Sequence, residues 1–386
     1  MTNFMTEPTE IGILKINSRL SGLDHLRSLA ILLVFMYHSG RLFPHAEWTN
    51  KISNFGWTGV DLFFVLSGYL IASQLFAKIG REQQISLREF FIKRLFRIIP
   101  AYSVVVAIYF LFQSFHEREA LAPLWKYLTF TQNLGLDITT QGTFSHAWSL
   151  CIEEQFYLLL PLTLVMLVYF NAIEKGFIIL ILLFALGIFI KLYAWYSLVL
   201  PLQNAEGYYL NWYKWIYYPT YSRLDGLLMG VSIAALFQFK TNIKDKILMY
   251  GNQSLLVSVF VLTGASFLCS NLASFNTTFF GFPLIALGYG FMLIGAISPS
   301  SFLYKFNSRV TANIATLSYS IYLTHKFIIH LTQENFSKIN VNKDSTLMFL
   351  ACIITTISGA FLLNIVVERP FLELRNKILL LGKAGR

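Results

Sequence analysis

Ionisable side chains inside apolar stretches are the residues of this sequence that could do chemistry. Arg27 and His38 lie eleven positions apart in one such stretch. On an α-helix this spacing is about three turns, so both side chains return to within ~20° of one face. They would be ~16 Å apart along the axis, which suits an elongated ligand with an anionic head and a reactive end. Arg27 could equally anchor the end of a membrane span, so the pair alone does not establish a function.

Other apolar stretches carry ionisable residues as well. A charged side chain at the centre of a membrane helix costs ~2.5–3.5 kcal/mol, so the whole set cannot face lipid. We expect most of them to face one another or a water-filled chamber that opens to the outer side. The alternative is a structural ion-pair network, especially for Arg223 and Asp225. These two are followed by Gly226 and Gly230, a glycine spacing that favours close helix packing. The set comprises His38, Asp61, Glu153, Glu154, Arg223, Asp225, His325 and Lys326.

The elements that must position these residues are membrane helices. Of the 386 residues, 55% are hydrophobic and only 13% are charged, whereas soluble domains carry about 25% charged residues. Apolar runs near the ~20 residues that cross a bilayer recur along the chain. They predict an all-α integral membrane protein of about ten transmembrane helices, at roughly 24–43, 57–78, 98–115, 146–171, 176–197, 219–238, 253–271, 278–297, 312–332 and 346–368.

The basic residues predict how these spans are oriented. If the spans alternate, most of the 30 Lys and Arg residues share one side with the N-terminus, and cytoplasmic loops are the ones enriched in them. We therefore expect both termini to be cytoplasmic, with a tail at 1–22, a transmembrane domain at 23–370 and a second tail at 371–386. This distribution explains the net charge of +10 without a nucleic-acid partner.

One basic segment stands immediately before the third predicted span. Lys93, Arg94 and Arg97 occupy positions i, i+1 and i+4, which on a helix form a compact site for phosphate groups. The enrichment of positive charge on the cytoplasmic side would supply such residues anyway. Spacing alone therefore leaves both interpretations open.

Taken in order, motifs along nearly the whole chain resemble the acyltransferase-3 family, membrane-bound enzymes that acylate carbohydrate hydroxyls. One departure is Lys93, where the family often has Arg, so a bidentate contact is lost while the charge remains. The motifs are Leu23-Asp24-His25-Leu26-Arg27 followed by His38, Gly59-Val60-Asp61-Leu62-Phe63-Phe64-Val65-Leu66-Ser67-Gly68-Tyr69, Lys93-Arg94 with Arg97 and Pro100, Trp148-Ser149-Leu150-Cys151-Ile152-Glu153-Glu154-Gln155-Phe156-Tyr157, Arg223-Leu224-Asp225-Gly226, Ser318-Tyr319-Ser320-Ile321-Tyr322-Leu323-Thr324-His325, and Glu368-Arg369-Pro370.

The resemblance implies an O-acyltransferase that moves an acyl group, usually acetyl, from cytoplasmic acetyl-CoA to an extracytoplasmic carbohydrate such as lipopolysaccharide O-antigen. The CoA phosphates would meet Arg27, Lys93, Arg94 and Arg97, and no metal is expected. The implied setting is the bacterial inner membrane, with membrane lipids and a carbohydrate or glycolipid acceptor as partners. Some relatives continue into an extracytoplasmic hydrolase-like domain. If this chain needs such a partner, we expect it to be a separate protein. The acceptor sugar, the acyl group and the oligomeric state stay open.

Catalytic roles follow from the same resemblance. We predict that His38 is the general base for the acceptor hydroxyl, an effect typically worth 10²–10⁴-fold, or that it carries the acyl group itself in a ping-pong route. Glu153 is expected to orient the imidazolium. Glu154, ~100° away around the helix, is the second choice. The residues expected to line the acceptor chamber are Trp148, Ser149, Asp61, His325, Glu154, Arg223 and Asp225, although the first two could also be an interfacial belt residue and a helix start.

A different class of protein would also keep ionisable residues in its membrane helices. In a proton-coupled transporter or flippase, buried His, Glu and Asp relay protons or bind substrate. That class predicts repeat symmetry between two halves and Gly/Pro-broken spans at corresponding positions. The sequence shows neither feature, so the acyltransferase interpretation is preferred.

Overall fold

Helices are the regular elements of residues 21–384, the part of the chain that the computed structural model describes, and no strand occurs there. The all-α prediction is therefore confirmed, while the predicted tail at 1–22 lies almost wholly outside the described residues. The α-helices are α1 (Ser21–Arg41), α2 (Thr49–Ser53), α3 (Gly59–Gly80), α4 (Leu87–Leu111), α5 (Leu124–Leu128), α6 (Trp148–Tyr169), α7 (Gly176–Ala194), α8 (Tyr208–Trp212), α9 (Asp225–Phe239), α10 (Thr241–Leu248), α11 (Gly251–Leu268), α12 (Phe282–Ile297), α13 (Phe302–Lys305), α14 (Arg309–Ser337), α15 (Thr346–Leu363) and α16 (Arg369–Ala384).

Within residues 21–384, seven helical stretches are long and apolar enough to cross a membrane. An eighth results if α9 and α10, which are bent by 110° relative to each other, form one broken span. The multi-pass membrane character is thus supported, whereas the predicted number of ten spans is not confirmed. The spans predicted at 24–43 and 312–332 correspond to α1 and α14, which are not among these seven stretches. The seven stretches are Gly56–Gly80, Leu87–Leu111, Ser145–Tyr169, Ile173–Leu202, Gly251–Leu268, Thr277–Ile297 and Thr346–Leu381.

Helix α4 begins earlier than the third predicted span, at Leu87 instead of near residue 98. The side chain of Ser86 accepts a hydrogen bond of 3.2 Å from the backbone N–H of Glu89, which satisfies one of the free amides at the helix start. The helix continues through Pro100. The basic segment before this proline is therefore part of the helix and not of a loop.

Two glycines bring α3 and α9 into backbone contact. A Cβ on Gly68 would lie 2.1 Å from the carbonyl oxygen of Leu227, and one on Gly230 would lie 2.2 Å from that of Val65. Larger residues cannot occupy these positions, and small residues at helix interfaces are the usual way for membrane helices to approach closely.

Helix α1 is the element that positions the candidate site. It packs against α3 on one side and α14 on another, so residues of three helices converge along its length. At the other end of the chain, α15 continues through a π-helical turn, Asn364–Glu368, into α16. This turn, a form often found at functional sites, places Glu368 against α4.

Candidate active site: two cavities along the first helix

The first cavity, of about 190 Å³, lies among α1, α3, α4, α6 and α14. We call it the arginine cavity, because Arg27, Arg94 and Arg97 all line it. Aromatic faces support two of these guanidinium groups, with the Cζ of Arg94 5.2 Å from the ring centre of Tyr157 and that of Arg97 5.8 Å from Tyr319. Three guanidinium groups around one cavity form a site suited to phosphate or carboxylate groups.

The two arginines of α4 differ in their partners. Arg97 forms a 2.9 Å ion pair with the buried carboxylate of Glu368, which also accepts a hydrogen bond from Ser320. Among the described residues, no carboxylate lies within ion-pair distance of Arg94. Arg94 is therefore the more available cation for an incoming anion.

Lys93, which the sequence places with these arginines, does not line the arginine cavity. Its ammonium group lies 2.5 Å from Glu89, one turn earlier on α4, and about half of its side chain is exposed. Adjacent residues of a helix point ~100° apart, so Lys93 and Arg94 face different surroundings. The structure therefore does not bring Lys93 together with Arg94 and Arg97 in this cavity, and its role at a phosphate site stays a prediction.

Two carboxylates of α6 face the arginine cavity. Glu153 accepts hydrogen bonds of 3.0 Å from Ser67 and from the hydroxyl of Tyr157, and Glu154 lines the same cavity. The sequence led us to expect Glu153 beside His38. The structure instead places the two residues in different cavities, because the α6 turn that carries Glu153 faces α3 and α4.

The second cavity, of about 250 Å³, contains His38 and is lined mostly by aromatic rings. We call it the histidine cavity. Arg118 and Lys326 also line it, and no Asp or Glu of the described residues does. Concave aromatic pockets with a few placed polar groups are typical sites for small organic ligands. The aromatic residues of the wall are Tyr37, Trp57, Trp148, Tyr213, Tyr217, Tyr218 and Tyr322.

His38 is oriented by a second histidine, His325 of α14. The Nδ1 of His325 lies 2.9 Å from the carbonyl oxygen of Tyr322 and 3.1 Å from that of Ile321. Carbonyl oxygens only accept, so this nitrogen carries the proton and Nε2 of His325 is an acceptor. Nδ1 of His38 lies 3.0 Å from that acceptor and 3.0 Å from the carbonyl oxygen of Val34, so it must be protonated too. The unprotonated nitrogen of His38 is therefore Nε2, the form that a general base requires.

A third histidine, His146, lines the same cavity. Its Nε2 donates to the backbone carbonyl of Tyr322 at 3.1 Å, and its ring centre lies 4.9 Å from that of His325. The preceding Phe144 adopts the left-handed region, with φ of 53°, a strained conformation often found at functional sites. Sequence analysis missed His146, whose sole signal is its position just before the motif that begins at Trp148.

The cation Lys326 is held beside these histidines by a buried carboxylate. Its ammonium group lies 2.8 Å from Glu117, and both side chains are only 2% exposed. Glu117 also accepts a hydrogen bond of 3.0 Å from the backbone N–H of Phe144. Lys326 is evident from the sequence as a cation inside an apolar run, but Glu117 is not, since it lies in a predicted loop.

Three residues expected to line the acceptor chamber form ion pairs elsewhere. Arg223 lies 2.9 Å from Asp61, and Lys191 lies 2.7 Å from Asp225. The Cζ of Arg223 also sits 3.9 Å from the ring centre of Phe282. Neither pair lines the arginine or the histidine cavity. This arrangement corresponds to the structural alternative raised for Arg223 and Asp225.

Trp148 and Ser149, the remaining candidates, lie in different cavities although they are adjacent. Trp148 contributes to the wall of the histidine cavity, and Ser149 to that of the arginine cavity. The hydroxyl of Ser149 lies 2.5 Å from the hydroxyl of Tyr322. The start of α6 thus runs along the boundary between the two cavities.

Comparison with known proteins identifies the family. A family model described as an acyltransferase domain matches residues 20–365. The chain is 32% identical to O-acetyltransferase OatA of Staphylococcus aureus strains NCTC 8325 / PS 47 and COL over 340 residues, which is 80% of this chain and 50% of each relative. The chain therefore spans about half the length of these relatives, and no solved structure matches it significantly. The chain belongs to the acyltransferase-3 family.

Proposed function

We propose that this chain transfers an acetyl group from acetyl-CoA at the cytoplasmic face to a hydroxyl group of an extracytoplasmic carbohydrate. The observation that carries the proposal is the course of α1. This one helix contributes Arg27 to a cavity lined by cations and, about three turns later, His38 to a separate cavity lined by aromatic rings.

The arginine cavity is the proposed donor site. CoA carries its phosphates at one end and its reactive thioester at the other, so Arg94 and Arg27 are suited to the phosphates while the pantetheine arm points inward. The cavity is smaller than the ~300–1,000 Å³ typical of sites that enclose a drug-sized ligand. It would therefore hold the thioester end, with the phosphates at Arg27 and Arg94 and the rest of the nucleotide outside the cavity.

The histidine cavity is the proposed acceptor site. Aromatic walls suit a sugar ring, whose C–H faces pack on them while its hydroxyls need a few polar partners. An acceptor hydroxyl would donate its proton to Nε2 of His38 while its oxygen attacks the thioester carbonyl carbon. The C–S bond then breaks, and the leaving thiolate takes the proton from His38. Lys326 would stabilise the negative charge of the tetrahedral intermediate.

The same proposal includes the setting of the enzyme. We place the chain in a bacterial inner membrane, with α1 and α14 as additional spans, about ten spans in all and cytoplasmic termini. The acceptor class is a surface glycan or glycolipid such as lipopolysaccharide O-antigen, and a separate extracytoplasmic protein could receive or present it. The family membership and the named activity of the relatives support the acetyl transfer.

Turnover of acetyl-CoA tests the proposal. The purified chain in nanodiscs is given acetyl-CoA, with water as the default acceptor, and release of the CoA thiol is followed with a thiol reagent. We expect slow release that falls by roughly 10²–10⁴-fold in His38→Ala, the usual size of a general-base effect. His330→Ala is the matched control, because His330 lies on α14 but lines neither cavity.

Two outcomes would count against the proposal. If the folded wild type neither binds nor consumes acetyl-CoA, the donor assignment fails, and a transporter becomes the better interpretation of the buried histidines. If His38→Ala retains wild-type turnover, the reaction occurs but His38 is not its base.

A further inference from the structure

The two cavities meet at a single side chain. Among residues 21–384, Tyr322 of α14 is the one residue that lines both the arginine cavity and the histidine cavity. Its side chain is buried, with 5% exposure. The ring centre lies 6.4 Å from that of Phe63, which lines the arginine cavity, and 5.5 Å from that of His146, which lines the other. The phenol ring of Tyr322 therefore packs between a residue of the arginine cavity and a residue of the histidine cavity.

Hydrogen bonds to the hydroxyl and to the backbone carbonyl of Tyr322 hold this residue in place. The hydroxyl of Tyr322 donates to the carbonyl oxygen of His146 and lies 2.5 Å from the hydroxyl of Ser149, from which it accepts. In the same region, the imidazole of His146 donates to the backbone carbonyl of Tyr322. The tyrosine is thus fastened to the start of α6, and any displacement of the ring must break bonds between buried groups.

We propose that Tyr322 sets the size of the acyl group that reaches His38. This inference rests on the proposed function, since it concerns how the thioester passes from the arginine cavity to the base. With the donor phosphates held by the arginines, the acyl carbon comes up against the face of the tyrosine ring. His38 lies beyond it, in the other cavity.

The packing around the ring explains why a short acyl group is favoured. An acetyl group, because it is small, requires the smaller displacement of the ring, at the expense of the hydrogen bond to Ser149. A longer chain must push the ring into Phe63 or His146, both already in aromatic contact with it. Close-packed neighbours of this kind resist added methylene groups. Tyr322 is a specificity-determining residue, separate from the base and from the phosphate site.

The test compares two donors, acetyl-CoA and hexanoyl-CoA, in the purified chain. The measured quantity is the ratio of kcat/KM for hexanoyl-CoA to that for acetyl-CoA. We expect this ratio to rise at least tenfold in Tyr322→Ala, a gain that merely damaging the fold would not produce. Phe327→Ala is the matched control, because it removes a buried ring from the same helix but lines neither cavity. Its ratio should equal that of the wild type.

Two further variants keep the result interpretable. Tyr322→Leu retains an apolar side chain and replaces Tyr322→Ala if the latter does not fold. Tyr322→Phe keeps the ring but not the hydroxyl, so it should retain the preference for acetyl while releasing CoA to water faster than the wild type. If the donor ratio is unchanged in a folded Tyr322→Ala or Tyr322→Leu variant, Tyr322 does not set the size of the acyl group, while the proposed function still stands. A wild type that consumes neither thioester overturns the proposed function, and with it the proposed role of Tyr322.

Discussion

Two regions of this molecule bury ionisable groups in different ways. Around Arg223, each charge has a counter-charge on a neighbouring segment, and Arg223 packs against aromatic rings without lining either cavity. Around His38, polar groups line open space and leave one basic nitrogen available. The sequence alone presents both as ionisable residues in apolar runs. Pairing alone does not separate the two regions, since Lys326 also has a buried counter-charge, Glu117, yet lines the histidine cavity.

Substitutions in the first region should therefore lower the stability of the fold. Arg223→Ala leaves Asp61 buried without its partner, and breaking a buried ion pair from one side costs about 3–5 kcal/mol. We expect a correspondingly lower free energy of unfolding, measured by denaturant titration in detergent, with acetyl-CoA affinity unchanged in the folded fraction. The double variant Asp61→Leu with Arg223→Met should recover most of the loss, since an apolar pair removes both buried charges. Loss of acetyl-CoA affinity at unchanged stability would place this pair in the site instead.

Substitutions in the second region should instead lower the catalytic rate while the protein remains folded. His325→Leu removes the acceptor for Nδ1–H of His38 but leaves the carbonyl of Val34, 3.0 Å away. Loss of the partner that orients a metal-bound histidine typically costs 10–100-fold. By analogy we expect kcat to fall by roughly that factor, with KM for acetyl-CoA unchanged. His325→Gln should restore most of the rate, because its amide oxygen can accept the same hydrogen bond. Equal losses in both variants would indicate that His325 serves packing alone.

A smaller effect is expected within the arginine cavity. Arg94→Gln should raise KM for acetyl-CoA by roughly tenfold, as expected for one hydrogen bond to a charged group, with kcat little changed. Lys93→Gln is the matched control, because its side chain pairs with Glu89 outside the cavity. Steady-state kinetics on the two variants decide the matter. If Lys93→Gln raises KM as much as Arg94→Gln, the phosphate site extends beyond the cavity.

Much of the fold could be predicted from the sequence because the signal is local. Apolar runs near bilayer length identify the seven stretches. They also predict spans at α1 and α14, whose apolar runs are interrupted by ionisable residues such as Arg27 and His325. The apolar run at 98–115 marks only the later part of α4, because the helix begins at Leu87, after the cap at Ser86, and its first turns carry the basic residues.

The partners within the site could not be predicted, because they depend on helix rotation and packing. His38 and His325 are 287 positions apart in the chain, and no local pattern pairs them. Glu153 was expected to be the partner of His38 by analogy with other catalytic histidines, but the rotation of α6 directs it to the arginine cavity. Tyr322 lies within a motif that the sequence reveals, yet its place between two cavities emerges only from the packing of α14 against α1 and α6.

The central claim is that donor binding and proton transfer occupy separate cavities on the same helix. Calorimetric titration of acetyl-CoA into the wild type, His38→Ala and Arg94→Gln tests it most directly. The account predicts that His38→Ala binds acetyl-CoA with the affinity of the wild type while failing to turn it over, and that Arg94→Gln binds it more weakly. Weakened binding in His38→Ala, as large as that in Arg94→Gln, would contradict the separation of the two sites.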